Sequence, residues 1–269
     1  MRTAGKRLLA STIGQIVRFH GARIIYFHSV HPSHPLAHRP EVFRAMVKLM
    51  VESKWEIVTV GELGERIRSG GDVSNGLSIT FDDGYEDNAT IATPILSEFG
   101  VKATFFVAAG LVGDTARVLD DPTRKHHLYP NLPMMSKDQM RQMSAAGMEI
   151  GSHTFSHRYM KNDGLEMVQE ELRDSKSMLE NILRKPVVSF AFPNGEVPVD
   201  ARQVLREEGY LQAVNTRWDC VQPDSDPYFL PRQIIDVPDR LIDLRSKLSG
   251  KYDYMKYFQV MRRMVDGLR

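Results

Sequence analysis

Ser78-Ile79-Thr80-Phe81-Asp82-Asp83-Gly84 is the stretch on which the predicted fold and the predicted site both depend. It places two adjacent carboxylates directly after a short apolar run of the kind that forms a buried strand. In parallel α/β folds the carboxyl ends of the strands build the active site, and two neighbouring aspartates repel each other unless a cation or a shared proton relieves them. An ordinary strand-to-turn junction is the alternative for this motif alone, because Asp and Gly also favour turns.

A second motif, Ser152-His153-Thr154-Phe155-Ser156-His157, also follows a predicted strand. His153 and His157 are four residues apart, a spacing that brings two imidazoles to one face of a helical turn, where they can share a metal ion. Taken alone, they could equally be two unrelated polar residues in a loop. Together with the aspartate pair they supply three ligands and one spare carboxylate, the donor set of a hydrolytic metal site with open positions.

Short apolar runs alternate with segments of helical period along the chain, which predicts parallel strands joined by crossover helices. Six or seven such units favour a barrel over an open sheet, although periodicity alone does not decide closure. The predicted strands are 23–27, 56–58, 77–81, 103–107, 149–152 and 187–192, and the predicted helices are 41–53, 87–99, 136–146, 165–183 and 201–208.

Length and composition limit the protein class. A chain of 269 residues suits one large α/β domain, and we predict a single domain over 1–269 with a helical extension over 1–22 and a helical tail over 239–269. The formal net charge of +1 gives no long-range field to gather nucleic acid, so no polynucleotide partner is expected. Cys220 is the only cysteine, so any metal must rest on histidines and carboxylates. The oligomeric state is not indicated.

The N-terminal segment, residues 1–19, begins with the basic residues Arg2, Lys6 and Arg7. It is apolar at helical spacing through Leu8, Leu9, Ile13, Ile16 and Val17. Polar residues interrupt it, so it is a poor signal peptide, and it is too short to span a bilayer. We expect an amphipathic helix that covers the barrel, with peripheral contact to a membrane surface as the alternative. The expected location is cytoplasmic or peripheral to the inner membrane, and export is not excluded.

The two motifs resemble the first two signature motifs of the polysaccharide deacetylases, also called the NodB-homology or carbohydrate esterase family 4 proteins. Residues 101–107 resemble the strand that follows the family's first motif, and Phe190-Ala191-Phe192-Pro193-Asn194-Gly195 resembles its third motif in the form found in poly-N-acetylglucosamine deacetylases. The likeness runs from about Ile24 to Arg232. It implies a distorted (β/α)7 barrel that removes N-acetyl groups from hexosamine units of a polysaccharide or glycan precursor.

The family pattern also implies a role for each motif residue. Asp82 would be the general base, and the metal ligands would be Asp83, His153 and His157. These donors suit Zn²⁺ best, and Co²⁺, Ni²⁺ or Mn²⁺ fit them as well. A bound divalent cation acidifies water enough for a carboxylate such as Asp82 to take its proton. A backbone N–H near Asn194, directly after Pro193, is expected to meet the oxyanion.

This sequence departs from the usual family pattern at three places. One is Asn194, which stands where an aromatic residue is usual and could alter the sugar subsite. Ala191 stands where many members carry an arginine, and we expect Arg232 to orient Asp82 instead; an ordinary carboxylate-paired arginine is the alternative. No histidine follows His157 in the sequence, so the late histidine that protonates the departing amine has no counterpart. His28, at the end of the first predicted strand, is our candidate for the general acid or a substrate ligand. A structural histidine is the alternative, with protonated Asp82 as the fallback donor.

Several other side chains are weaker candidates. Tyr85, Pro193 and Trp218 are candidate substrate contacts. The rings of Tyr85 and Trp218 could stack on a sugar ring, and for Trp218 packing in the core or at a rim is the preferred interpretation. Solvation or a place on a rim is expected for His31, His34 and His38. A surface position is also the preferred interpretation for His126 and His127 in the long loop, with substrate contact as the alternative. The long loop 113–135 is expected to border the site.

Two other functions remain open from the sequence. The same site could hydrolyse a different small group, such as a formamide, an O-acetyl ester or a cyclic amide. The chain could also be a catalytically silent carbohydrate-binding homologue, for which the missing late histidine is the main argument.

Overall fold

The structure, a computed structural model, describes residues 20–113 and 132–266, with Gly5, Arg7, Leu9, Ala10 and Thr12 from the N-terminal segment; from residue 262 onward only the backbone is described. Most of the predicted 113–135 loop therefore lies outside the described residues. The same holds for His126, His127, Leu8, Ile13, Ile16 and Val17.

Among the residues that the structure describes, eight strands form one sheet. They are Arg23–Phe27 (β1), Glu56–Ile57 (β2), Gly76–Phe81 (β3), Thr104–Val107 (β4), Glu149–Ser152 (β5), Ser189–Ala191 (β6), Gln212–Val214 (β7) and Gln233–Ile234 (β8). The order is β7-β6-β5-β4-β3-β1-β8, all pairings are parallel, and β2 pairs with the start of β3. Leu230, just before β8, forms a parallel bridge with Val214 of β7, so this segment joins the two ends of the sheet and closes the barrel.

Eight α-helices of the described region connect and follow the strands. They are Pro40–Glu52 (α1), Val60–Ser69 (α2), Thr93–Glu98 (α3), Lys137–Ala145 (α4), Leu165–Leu183 (α5), Ala201–Glu207 (α6), Leu241–Leu248 (α7) and Met255–Asp266 (α8). A π-helical turn, Asn88–Ala92, precedes α3. Local chemistry explains several boundaries. Pro40 opens α1 at a position where its missing N–H costs nothing, and Thr59 and Glu62 form a capping box at the start of α2.

Alternate strand residues face two separate apolar clusters, as the two-residue period of a strand requires. Ile25 and Phe27 of β1 belong to the larger cluster, which includes Phe43 of α1 and therefore lies between sheet and helices. Ile24 belongs to a second cluster, which includes side chains from β4, β6 and β7. Because those strands are not neighbours of β1, the second cluster fills the barrel interior, and the inward-facing rows of the strands lead to the site.

Most predicted elements are confirmed. The bounds of β1, β5 and α5 agree with the prediction, whereas the predicted helix 87–99 is divided into the π-helical turn and α3. Three elements were not predicted: α2, β7 and β8. The two strands are only three and two residues long and include Gln212 and Gln233, so they carry little apolar pattern.

The described N-terminal residues contact the C-terminal part of the chain. Arg7 forms an ion pair with Asp243 at 2.6 Å, and Ala10 is buried beside Trp218 and Tyr252. These contacts favour a covering role for this segment, and its cellular location stays a prediction. None of the helices in the described part of the chain is long and apolar enough to cross a membrane.

Candidate metal centre

The two aspartates after β3 point to different partners because the backbone bends between them. Asp82 continues the β1–β3 pairing, with its N–H donating to the Phe27 carbonyl at 3.0 Å. Asp83 adopts a left-handed conformation with φ 75°, which is costly for a residue with a side chain and is typical of functional sites. Gly84 follows at φ 89°, and a Cβ there would lie 2.9 Å from Val107. The tight turn therefore requires this glycine.

Asp83, His153 and His157 converge on one point. The Asp83 Oδ1 atom lies 3.6 Å from His153 Nε2 and 3.2 Å from His157 Nε2, and the three candidate ligand atoms are all within 4.8 Å of one another. Ligand atoms bound at about 2.1 Å in a tetrahedral arrangement lie roughly 3.4 Å apart. The donor set and its spacing therefore fit one divalent cation.

The imidazole of His153 has the orientation and the protonation state that metal binding requires. Its Nδ1 lies 2.8 Å from the carbonyl oxygen of Ala191 at the end of β6, so Nδ1–H donates there and the Nε2 lone pair faces Asp83. Burial lowers the pKa of His153 to about 4. The ring is therefore neutral at neutral pH, which is the form that binds a metal.

Arg232 holds Asp82 in a two-point ion pair. The Arg232 Nη1 and Nη2 atoms donate to the two Asp82 carboxylate oxygens, each at 2.7 Å. The guanidinium also contacts Thr80 Oγ1 at 3.2 Å and lies 4.5 Å from the centre of the Tyr26 ring. Burial raises the pKa of Asp82, but the charges of Arg232, His153 and His28 and the Arg232 hydrogen bonds together outweigh burial and leave that pKa below its usual value. The Asp82 carboxylate, next to the Asp/His/His cluster, is therefore ionised and fixed in direction.

His28 and Asn194 lie at the same end of the barrel. His28 directly follows β1, is half-buried, and its ring meets Tyr26 edge-on at 5.6 Å. Asn194 is exposed at φ 55° in the turn Pro193–Gly195 that follows β6, and Pro193 is buried. The structure thus brings both to the rim where Asp82 and His153 lie. Their roles as acid, substrate ligand and oxyanion contact stay predictions.

Two aromatic candidates, Tyr85 and Trp218, and one loop histidine, His38, are buried. Burial does not agree with a substrate contact for the aromatic rings or with solvation of the histidine. Tyr85 is 2% exposed and packs among Ala108, Leu111, Leu132 and Met134. Trp218 is 7% exposed and packs against Tyr252, with Lys247 Nζ 5.3 Å from its ring. Neither ring is open to a sugar in the described structure, so the stacking predictions are wrong, whereas packing of Trp218 is confirmed. His38 is buried, with Nε2 2.9 Å from the Ile235 carbonyl, so its predicted solvation is also wrong.

Sequence reasoning missed two buried carboxylates beside the site. Asp87 receives hydrogen bonds from Ser29, Val30 and Asn88, next to His28. Glu171 of α5 receives hydrogen bonds from the turn between the two histidines. A signal was available for Glu171, because it falls in the apolar stripe of α5, between Val168 and Leu172, where a charged residue is unusual.

The fold and the site together are a parallel α/β barrel with a buried Asp/His/His cluster at its strand ends, and comparison with known proteins identifies the family. A family model described as polysaccharide deacetylase matches residues 71–213, which is more than half of the chain. The chain therefore belongs to the polysaccharide deacetylase family, as the motif resemblance implies.

Relatives and solved structures agree with this assignment. The chain is 27% identical over 210 residues to YxkH of Bacillus subtilis (strain 168), covering 78% of this chain and 69% of that protein. It is 25% identical over 202 residues to a poly-beta-1,6-N-acetyl-D-glucosamine N-deacetylase of Staphylococcus aureus, covering 72% of this chain and 66% of the relative.

Two solved structures confirm the fold. The Streptococcus pyogenes deacetylase PplD in complex with acetate has a TM-score of 0.74 at 20% identity, covering 86% of this chain and 99% of that chain. IcaB from Ammonifex degensii has a TM-score of 0.75 at 22% identity, covering 86% and 98%. The predicted distorted (β/α)7 barrel is confirmed.

Proposed function

We propose that this protein is a metal-dependent N-deacetylase that hydrolyses N-acetyl groups on hexosamine units of a polysaccharide or glycan precursor and releases acetate. One observation carries the proposal: Asp83, His153 and His157 converge within 4.8 Å beside a carboxylate that Arg232 holds by two hydrogen bonds. Family membership supports the reaction class, and the Staphylococcus aureus relative supports an N-acetylglucosamine polymer as the substrate class.

Asp83, His153 and His157 would hold the cation, for which we propose Zn²⁺, with Co²⁺, Ni²⁺ or Mn²⁺ also suited to these donors. When bound, such a cation supplies Lewis-acid activation of water and of the acetamide carbonyl. The chain's own residues then have distinct tasks. Asp82, ionised and held by Arg232, takes a proton from the attacking water. A backbone N–H near Asn194 donates to the oxygen that becomes negative at the carbonyl carbon.

The departing nitrogen needs a proton, because the C–N bond breaks after the water oxygen has joined the carbonyl carbon and the oxyanion re-forms the carbonyl. We propose that His28 donates this proton or binds the sugar that carries the amide. Its place directly after β1, half-buried and next in register to Asp82, supports this role. Asp82 is the other donor within the site, since it already holds the proton taken from water.

Acetate release tests the function directly. The purified protein, supplied with Zn²⁺ or Co²⁺, should release acetate and free amine in equal amounts from N-acetylglucosamine oligomers. His153→Ala should lose both metal binding and acetate release. His20→Ala is a matched control, because His20 is exposed, and it should keep both.

Other outcomes would point to the remaining functions. Release of formate, or of acetate from O-acetyl esters only, would replace the N-acetyl substrate by another small group at the same site. Sugar binding without turnover, with each of the four metals, would contradict an enzyme and favour a carbohydrate-binding homologue.

A further inference from the structure

The turn that separates His153 from His157 has an unfavourable backbone. Thr154 has φ 66° and His157 has φ 63°, both in the left-handed region, which costs on the order of 1–3 kcal/mol for each residue that is not glycine. The position of the His157 imidazole depends on this turn. Only with the turn in this conformation does His157 Nε2 lie 3.2 Å from Asp83 Oδ1. The surrounding structure must therefore hold the turn in place.

One side of the turn is held by backbone amides. The carbonyl oxygens of Thr154 and Phe155 accept hydrogen bonds from Ala109 N at 3.1 Å and from Gly110 N at 2.8 Å. A Cβ on Gly110 would lie 2.8 Å from the Phe155 ring, so the two segments are in close contact. These bonds fix the carbonyl side and leave the N–H groups of the turn to be satisfied from elsewhere.

Glu171 satisfies the amide side. Its Oε2 accepts from Phe155 N and Ser156 N, each at 2.9 Å, and its Oε1 accepts from Ser156 Oγ at 2.6 Å. Glu171 is 7% exposed and extends from α5, the helix that follows the motif in the sequence. A carboxylate that accepts three hydrogen bonds forms strong, charge-assisted contacts, stronger than neutral acceptors would provide.

We propose that Glu171 is a positioning residue for the metal centre: it fixes the turn so that His153 and His157 can bind one cation together with Asp83. Glu171 contacts the turn and not the ligand atoms, so it acts through His157. The inference rests on the proposed metal centre and deepens it. Partners that orient metal ligands in this way typically contribute 10–100-fold in metal affinity.

Cobalt binding to the metal-free full-length protein tests the role without any substrate. Glu171→Ala should weaken Co²⁺ binding by about 10–100-fold and change the visible absorption of bound Co²⁺, which reports ligand geometry. Glu171→Gln keeps a carbonyl oxygen for the two amides but loses the charge, so we expect a loss on the order of 3–10-fold. Glu170→Ala is the matched control: the neighbouring glutamate on the same helix is exposed and should bind Co²⁺ like the wild type.

Thermal unfolding of the metal-free variants identifies any that fail to fold, and Glu171→Gln, which preserves shape, carries the test if Glu171→Ala does not fold. Wild-type affinity and an unchanged Co²⁺ spectrum in the folded variants would overturn the positioning role and leave the proposed function intact. Absence of Co²⁺ binding in the wild type would instead overturn the metal centre, and with it this inference.

Discussion

Two buried arginine–aspartate pairs, on opposite faces of the sheet, have nearly the same geometry. Arg232 binds Asp82 inside the barrel with two bonds of 2.7 Å, and Arg23 binds Asp253 on the outer face with bonds of 2.7 and 2.9 Å. Each of the four side chains is at most 5% exposed. Arg232 and its neighbour Gln233 point to opposite faces, and Gln233 donates to Asp253 at 3.1 Å. The same short segment therefore contributes to both pairs.

The surroundings of the two pairs differ. Gly250 closes the outer pair: a Cβ there would lie 2.7 Å from both Arg23 Nη2 and Asp253 Oδ2. Asp82 instead precedes Asp83, whose carboxylate faces two imidazoles. A buried ion pair is thus weak evidence for function by itself. The evidence comes from the second carboxylate and the two histidines next to one of the two pairs.

The largest expected difference between the pairs is in activity. Asp82→Asn should lower kcat by about 10²–10⁴-fold, because it removes the proposed general base, while Co²⁺ still binds to the unchanged ligands. Asp253→Asn is the same chemical change in the other pair and should leave kcat within about 2-fold of the wild type. Acetate release under saturating substrate measures both, and comparable losses in the two variants would contradict a special role for Asp82.

Stability should show the opposite order. Asp253→Asn leaves the Arg23 charge buried without a counter-charge, which typically costs about 3–5 kcal/mol of unfolding free energy. Asp82→Asn breaks a similar pair but also relieves repulsion between Asp82 and Asp83 in the metal-free protein, so its cost should be smaller. Urea unfolding of the metal-free variants measures the two costs. A larger loss for Asp82→Asn would show that the site is not strained by its adjacent carboxylates.

Sequence patterns predicted the parts of this molecule in which local chemistry and position coincide. The four candidate residues of the site directly follow strands with clear apolar patterns: Asp82, Asp83, His153 and His157. Correct prediction of those strands therefore also located these residues at the carboxyl end of the sheet. Residues whose partners come from remote elements were harder to assign. Asp253 lies in a turn between α7 and α8, and nothing in its neighbours indicates that it meets Arg23.

Aromatic candidates failed for a related reason. Tyr85 directly follows the aspartate motif, which suggested that its ring is open to substrate. In the structure the ring instead points into a buried apolar cluster with Leu132 and Met134. Burial of a side chain depends on which distant segment packs over it, and composition does not reveal that. The capping pair Thr59 and Glu62 did signal the start of α2, so this helix was predictable in principle.

Exchange of the arginines should sharpen the comparison further. Arg232→Lys keeps the charge but loses the two-point contact with Asp82 and the stacking on Tyr26, so kcat should fall by about 10–100-fold with Co²⁺ affinity retained. Arg23→Lys should leave kcat unchanged and lower only stability. Separate values of kcat and KM distinguish the outcomes: a loss confined to KM would mean that Arg232 contacts substrate and does not orient Asp82.

The smallest expected effect concerns Asp87, a buried carboxylate outside the two arginine–aspartate pairs. Its hydrogen-bond donors are neutral groups of Ser29, Val30 and Asn88. Burial, with a further contribution from nearby Glu86, raises its pKa to about 6. The folded protein therefore retains a proton that the unfolded chain has released, so this group stabilises the fold below about pH 4 and loses that contribution as pH rises through about 6.

Asp87→Asn does not ionise. Relative to the wild type, its unfolding free energy should rise by about 1 kcal/mol between pH 5 and pH 7.5, which urea unfolding at the two pH values measures. A pH-independent difference for Asp87→Asn would mean that this carboxylate is ionised throughout the range.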